Sequence, residues 1–125
     1  MSAPQLLSKT VSIAAVEATT TYYAALGGAG GEYLLDSAVL MPDAAFTADA
    51  SNFFLIAIKQ GSSTIGSITL ASQTLAAGTA VEFSLTKDEN AEFDGDDPIS
   101  VVLTETGTAT MVASRVEMVF RKVRS

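Results

Sequence analysis

Apolar and polar residues alternate with a period of two over much of this chain. In VEFSLT, Val81, Phe83 and Leu85 fall on one side and Glu82, Ser84 and Thr86 on the other. In SRVEMVF, Val116, Met118 and Phe120 share a face opposite Arg115 and Glu117. Successive side chains of a strand point to opposite faces, so these segments read as half-buried strands of an antiparallel sheet. β-Branched and aromatic runs between turn signals extend the set. Strands are predicted near Thr10–Ala18, Thr20–Leu26, Tyr33–Met41, Asn52–Gln60, Ser63–Leu70, Thr79–Thr86, Ile99–Glu105 and Ser114–Val123. Breaks fall at Gly27–Gly31, Pro42-Asp43, Gln60-Gly61-Ser62, Ala77-Gly78, Asp94-Gly95 and Thr106-Gly107. About eight strands at a spacing of roughly ten residues predict an all-β, antiparallel sandwich or barrel. LASQTLAAG (Leu70–Gly78) predicts a helical turn at most, because Gly and Thr weaken anything longer.

One strand departs from the alternation. In FFLIAIK, Phe54, Ile56 and Ile58 form one apolar face, and Phe53, Leu55 and Ala57 form the other. A strand apolar on both sides is covered on both sides. Either a loop lies over the second face or that face meets another subunit, and the latter predicts a homo-oligomer. Residues 1–9 lack the pattern: Pro4 blocks ladder pairing, and Leu6 and Leu7 are adjacent apolar residues. They read as a frayed terminus or as an arm that orders against a neighbour. The predicted organisation is an N-terminal arm (1–9) and one domain (10–125). Leu6, Leu7, Phe53, Leu55 and Ala57 are the candidate interaction surface.

Composition narrows the chemistry. The 125 residues include no cysteine and no histidine, so there is no thiolate ligand, no thiol nucleophile and no imidazole base. Fourteen acidic against seven basic residues give a net charge of −7, which argues against a nucleic-acid partner, since phosphate binding relies on clustered Lys and Arg. The one basic cluster, Arg121, Lys122 and Arg124, reads as a solvated chain end. No run approaches the roughly 18 apolar residues of a membrane span, and MSAPQLLSKT lacks the pattern of a secretory signal, so synthesis in a cytoplasm is expected.

Six of the acids, Asp88, Glu89, Glu92, Asp94, Asp96 and Asp97, lie in KDENAEFDGDDP. An EF-hand loop has D-x-[DN]-x-[DN]-G with a Glu at a set distance, and that match fails here. A looser calcium site on Asp94, Asp96 and Asp97 is the residual metal reading. Paired-carboxylate catalysis needs a cleft that drives two pKa values apart, which adjacent acids on a solvated turn lack. The stretch reads as a polar turn: Asp94-Gly95 bends, Ala91 and Phe93 anchor, and Pro98 precedes the strand beginning at Ile99. GGAGG lacks the Lys-Ser/Thr of a phosphate loop and reads as a flexible connection. There is no G-x-S-x-G. A sugar platform would draw on Tyr22, Tyr23 or Tyr33. Tyr22 and Tyr23 are adjacent, so a strand turns them to opposite sides. No enzyme activity and no cofactor are expected.

From Ser37 onward the order of features resembles small structural proteins of tailed bacteriophages. SAVLMPDAAFTADASNFFLIAIKQG is similar to their strand, proline, T-A-D-A-[ST]-N link and strongly apolar strand. ASQTLAAGTAVEFSLTKDENAEFDGDDPISVVLTETGTA resembles their L-x-A-G-T segment, strand, G-D turn and strand ending in T-x-T-G, and VEMVFRKV their closing strand. Here Gly95-Asp96 is followed by Asp97-Pro98, a polar insert where the pattern passes straight to an apolar residue. The resemblance implies a jelly-roll-like β-sandwich that decorates a capsid as a cement or head-fibre protein. It further implies the major capsid protein or other virion proteins as partners, a trimer as the favoured oligomer, and a place on the virion surface. A neck or tail adaptor, and a carbohydrate- or calcium-dependent binding module, are the alternatives.

Overall fold

The computed structural model describes residues 6–25, 32–85, 92–94 and 98–124. Among these residues ten strands run in chain order: β1 Leu6–Ile13, β2 Thr20–Ala25, β3 Glu32–Pro42, β4 Phe53–Gln60, β5 Ser63–Thr69, β6 Val81–Glu82, β7 Ser84–Leu85, β8 Glu92–Asp94, β9 Pro98–Thr106 and β10 Ser114–Arg124. No helix occurs among the described residues. The Leu70–Gly78 segment contributes one i→i−4 bond, from the Gln73 N–H to the Thr69 carbonyl at 3.2 Å, and goes no further.

Two antiparallel sheets result. Sheet A has the order β1-β10-β3-β6, with β8 also on β3; sheet B has the order β2-β9-β4-β5-β7. The pairing is nested: β1 with β10, β2 with β9, β3 with β6 and β8, β4 with β5. With β6 to β8 filling the place of one strand, that is a long antiparallel ribbon rolled on itself, the jelly-roll arrangement. The ribbon folds back at Gly61, whose φ of 59° supplies the left-handed first position of a two-residue hairpin between the paired Gln60 and Ser63.

The inward faces make one core. Phe54, Ile56 and Ile58 of β4, Ile99, Val101 and Leu103 of β9, and Val116, Met118 and Phe120 of β10 are all buried, the last three as the alternation in SRVEMVF predicted. Each such side chain contributes roughly 1.5–3 kcal/mol relative to exposure. Leu75 and Met111, from the links after β5 and β9, close one end of the sandwich. Backbone bonds tie those links down: Phe46 and Leu75 exchange bonds of 3.0 and 2.8 Å, and the Met111 N–H reaches the Val16 carbonyl at 2.7 Å.

Three stretches depart from the sequence reading. β1 runs Leu6–Ile13 rather than Thr10–Ala18, and Leu6 to Lys9 pair with Arg121 to Met118, so this part of the predicted arm lies in the sheet. VEFSLT is two strands: Val81 and Glu82 pair with β3 of sheet A, whereas Ser84 and Leu85 pair with β5 of sheet B. Phe83 is the crossover, buried, with its N–H on the Ala38 carbonyl at 3.0 Å. Within the acidic stretch, Glu92–Asp94 forms a strand on Glu32–Leu34 instead of part of a turn. The unsatisfied edge of β3 takes this segment because its backbone bonds outweigh the low strand preference of Glu and Asp.

A bulge in β3 sets which side chains reach the core. Val119 pairs with Ser37 and Phe120 with Leu35, leaving Asp36 as the extra residue. Tyr33 and Leu35 point inward before it, and Ala38, Leu40 and Pro42 after it. Without that one-residue shift the second half of β3 would turn Val39 and Met41 inward instead.

Candidate functional site

The outer face of sheet B is where the sequence-flagged residues of β4 come together. Cross-strand register puts Leu55 between Thr69 and Thr104, and Ala57 between Ser67 and Val102. Ser100 pairs with Lys59 and with Tyr23, and Val102 with Thr21. The face is therefore an apolar centre (Leu55, Ala57, Val102) ringed by Ser and Thr. Lys59 is its one charged side chain among the described residues. Leu55 is 37% and Tyr23 73% exposed, while Ala57 is buried between its neighbours. Phe53, paired with Thr106 at the first position of β4, is half-buried and packs partly on the core. No loop covers this face among the described residues, so the cover expected for FFLIAIK is not supplied there.

Leu6 and Leu7 do not join this patch. They lie on β1 of the other sheet. Leu6 is 57% exposed on its outer side, and Leu7 packs against the core. Tyr22 and Tyr23 diverge as a strand requires. Tyr22 is half-buried against the core, its hydroxyl accepting the Ala14 N–H at 3.2 Å, and Tyr23 faces solvent. Tyr33 is fully buried, so the sugar-platform reading does not hold for it. What sequence reasoning missed on this face is Val102, Lys59 and Tyr23 as neighbours. The alternation of β9 carried the signal for Val102, but the pairing of β9 with β4 did not follow from it.

The outer face of sheet A has different chemistry. Arg115 and Glu117 form an ion pair at 3.2 Å, and Arg121 pairs with the bulged Asp36 at 3.5 Å. The basic cluster read as a solvated chain end is thus held in β10, with Arg121 on Asp36 and the Arg124 backbone opposite Glu32. These pairs are exposed, and pairs of this kind stabilise by only about 0.2–1 kcal/mol. Beside them, where β6 leaves β3, a cleft of about 300 Å³ is lined by Asp36, Ser37, Ala38, Val39, Glu82, Phe83 and Leu85. Its two carboxylates belong to the sheet A surface, and one is already paired with Arg121.

Two segments singled out in the sequence meet in space at the corner of sheet B. The Asp49 carboxylate accepts the N–H groups of Ser51 at 2.9 Å and Asn52 at 3.1 Å. These bonds hold it below the ordinary 3.8 of an aspartate. Asn52 in turn accepts the Thr108 N–H through Oδ1 at 2.8 Å. Gly107 has φ of 69° and sits where a Cβ would collide with the Ser51 carbonyl. The T-A-D-A-S-N link and the T-E-T-G end of β9 are therefore one hydrogen-bonded corner, and their spacing serves the backbone.

No group of three or more acidic side chains among the described residues lies close enough to hold a metal ion. Asp88, Glu89, Asp96, Asp97, Ala91 and Gly95 fall outside the described residues, as do Gly27–Gly31, so the calcium reading and the Asp-Gly turn rest on residues beyond them. No protein-family model matches the chain, and no curated protein is recognisably similar to it.

Proposed function

We propose that this protein is a non-enzymatic virion component that decorates and stabilises the outer surface of a bacteriophage capsid. The observation that carries the reading is the outer face of sheet B. On a chain of net charge −7, this face has no acidic residue among those described, and its centre is Leu55, Ala57 and Val102. A surface with an apolar centre, a Ser/Thr rim and Lys59 as its one charge among the described residues can adhere to a protein shell without stranding buried carboxylates. The acids elsewhere keep the outward parts hydrated and particles apart. The phage-like order of segments and the jelly-roll topology support the same reading, although jelly rolls also serve as lectins.

Purified protein should co-sediment saturably with its undecorated capsid and raise the shell's resistance to heat. Leu55→Asp should fold normally and lose most of that binding, because it places a charge at the patch centre. Absence of saturable binding by the unaltered protein would sink the proposal. One observation favours a second reading: Tyr23, 73% exposed on the same sheet, has the disposition of a sugar-stacking side chain. A glycan array that returns saturable, Tyr23-dependent binding would place the protein with carbohydrate-binding modules instead.

A further inference from the structure

The two sheets have four lateral edges, and three are closed to further pairing in recognisable ways. β1 carries Lys9 at an inward register position, opposite the buried Met118. An inward-pointing charge penalises any strand that would extend that sheet. The far edge of sheet A is broken into β6, two residues ending in Glu82, and β8, three residues that include Glu92 and Asp94. The far edge of sheet B is β7, only two residues long. Short, interrupted and acidic edges are poor templates.

β2 is different. It is six residues, Thr-Thr-Tyr-Tyr-Ala-Ala, with no charge and no proline, and its pairing with β9 runs without a register shift. No strand lies on its other side among the described residues. Alternate residues of such an edge turn both backbone groups outward, unpaired. The side chains favour strand pairing as well, since Thr and Tyr are strong strand formers and cross-strand Thr–Tyr contacts stabilise.

We propose that β2 pairs antiparallel with β2 of a second copy of this chain, so that the two B sheets become one continuous sheet across a twofold axis. A second copy is the occupant that matches this edge: its Thr-Tyr strand is complementary to itself, and because β2 carries no acid, copies of net charge −7 meet there without bringing carboxylates into contact. Each molecule has one such edge among the described residues, so the contact uses itself up and closes as a dimer instead of growing into a filament. Side chains on one face of β2, Thr21 and Tyr23, then meet their counterparts across the axis. This inference stands apart from the capsid reading, and it gives a solution dimer where the phage resemblance implies a trimer.

Sedimentation equilibrium or light scattering across micromolar to submillimolar concentrations reads the assembly directly. The unaltered chain should approach the mass of two chains, with amide exchange in Thr20–Ala25 slowing as concentration rises. Thr21→Lys with Tyr23→Lys, both at exposed positions, should keep the circular dichroism of the fold and weaken association by at least about tenfold. Leu55→Asp should remain dimeric while losing capsid binding, which separates failure of this inference from failure of the functional one. A one-chain mass at every concentration, a three-chain mass, or a dimer that survives the lysines but not Leu55→Asp would each overturn edge pairing. Concentration-independent exchange in β2 would do the same.

Discussion

Sheet A turns Asp36, Glu82, Arg115, Glu117 and Arg121 to its outer side, whereas the outer side of sheet B carries only Lys59 among the described residues. Both faces belong to strands of similar length, and both back onto the same buried core. The shared core therefore does not by itself account for the difference. A sandwich needs only that the inner side of each sheet be apolar, which leaves each outer side free to follow another requirement. On sheet A that requirement is solvation, and its ion pairs are the kind that contribute little. On sheet B the apolar Leu55 and Val102 stay partly exposed around the buried Ala57, which is what makes this face the candidate for contact.

The sharpest break of that comparison lies within β4, whose two sides face the core and the surface. Ile56, fully buried, and Leu55, 37% exposed, are sequence neighbours. Ile56→Ala should lower unfolding free energy by roughly 2–5 kcal/mol through lost burial and the cavity left behind. Leu55→Ala should cost less than about 1 kcal/mol, since the side chain is already half in water. Urea denaturation of the two variants checks this, and comparable losses would mean the outer face also serves stability.

A smaller effect sharpens the contrast between charges that hold the backbone and charges that only face water. Asp49 is exposed, yet its carboxylate organises Ser51 and Asn52, and its pKa is lowered first by the Ser51 N–H and then by that of Asn52. A carboxyl with a depressed folded-state pKa contributes stability above its unfolded value and loses it as pH falls through the folded one. Melting temperatures of the unaltered protein and Asp49→Asn should therefore differ near neutral pH and converge as the pH drops below about 4. A difference that persists undiminished at pH 2 would show that the carboxylate charge is not what the corner uses.

The smallest effect belongs to the outer face of sheet A. Arg121→Ala breaks the pair with Asp36, in which both side chains are about 40% exposed. It should cost no more than about 1 kcal/mol at low salt and less in molar salt. Thermal melts at two ionic strengths measure it, and a salt-independent loss above that size would mean that the pair organises the bulge.

Much of the fold was legible because period-two alternation and turn residues are local signals. Val116, Met118 and Phe120 were assigned inward from SRVEMVF alone, and Gln60-Gly61-Ser62 marked the hairpin at which the ribbon folds back. FFLIAIK also announced a second apolar face. Leu6 and Leu7, in contrast, which join that face in the candidate interaction surface as part of an arm, lie on the other sheet, one outward and one inward. Tyr33, one of the three tyrosines a sugar platform would draw on, is buried, because the nearby bulge and the β10 pairing fix its side of β3.

The sequence by itself determined that this is an antiparallel β protein, where most strands lie, and that β4 has two apolar sides, since each follows from residues within a few positions of one another. Only the tertiary structure decided which strands are neighbours. Register across β2, β9, β4 and β5 gathers Tyr23, Val102, Ala57 and Leu55 from three separated segments onto one face. The bulge at Asp36 chooses between Leu40 and Val39 for the core. The crossover at Phe83 splits one alternating run between two sheets. Each of these depends on backbone bonds between residues distant in the chain, and a local pattern of polar and apolar positions does not encode them.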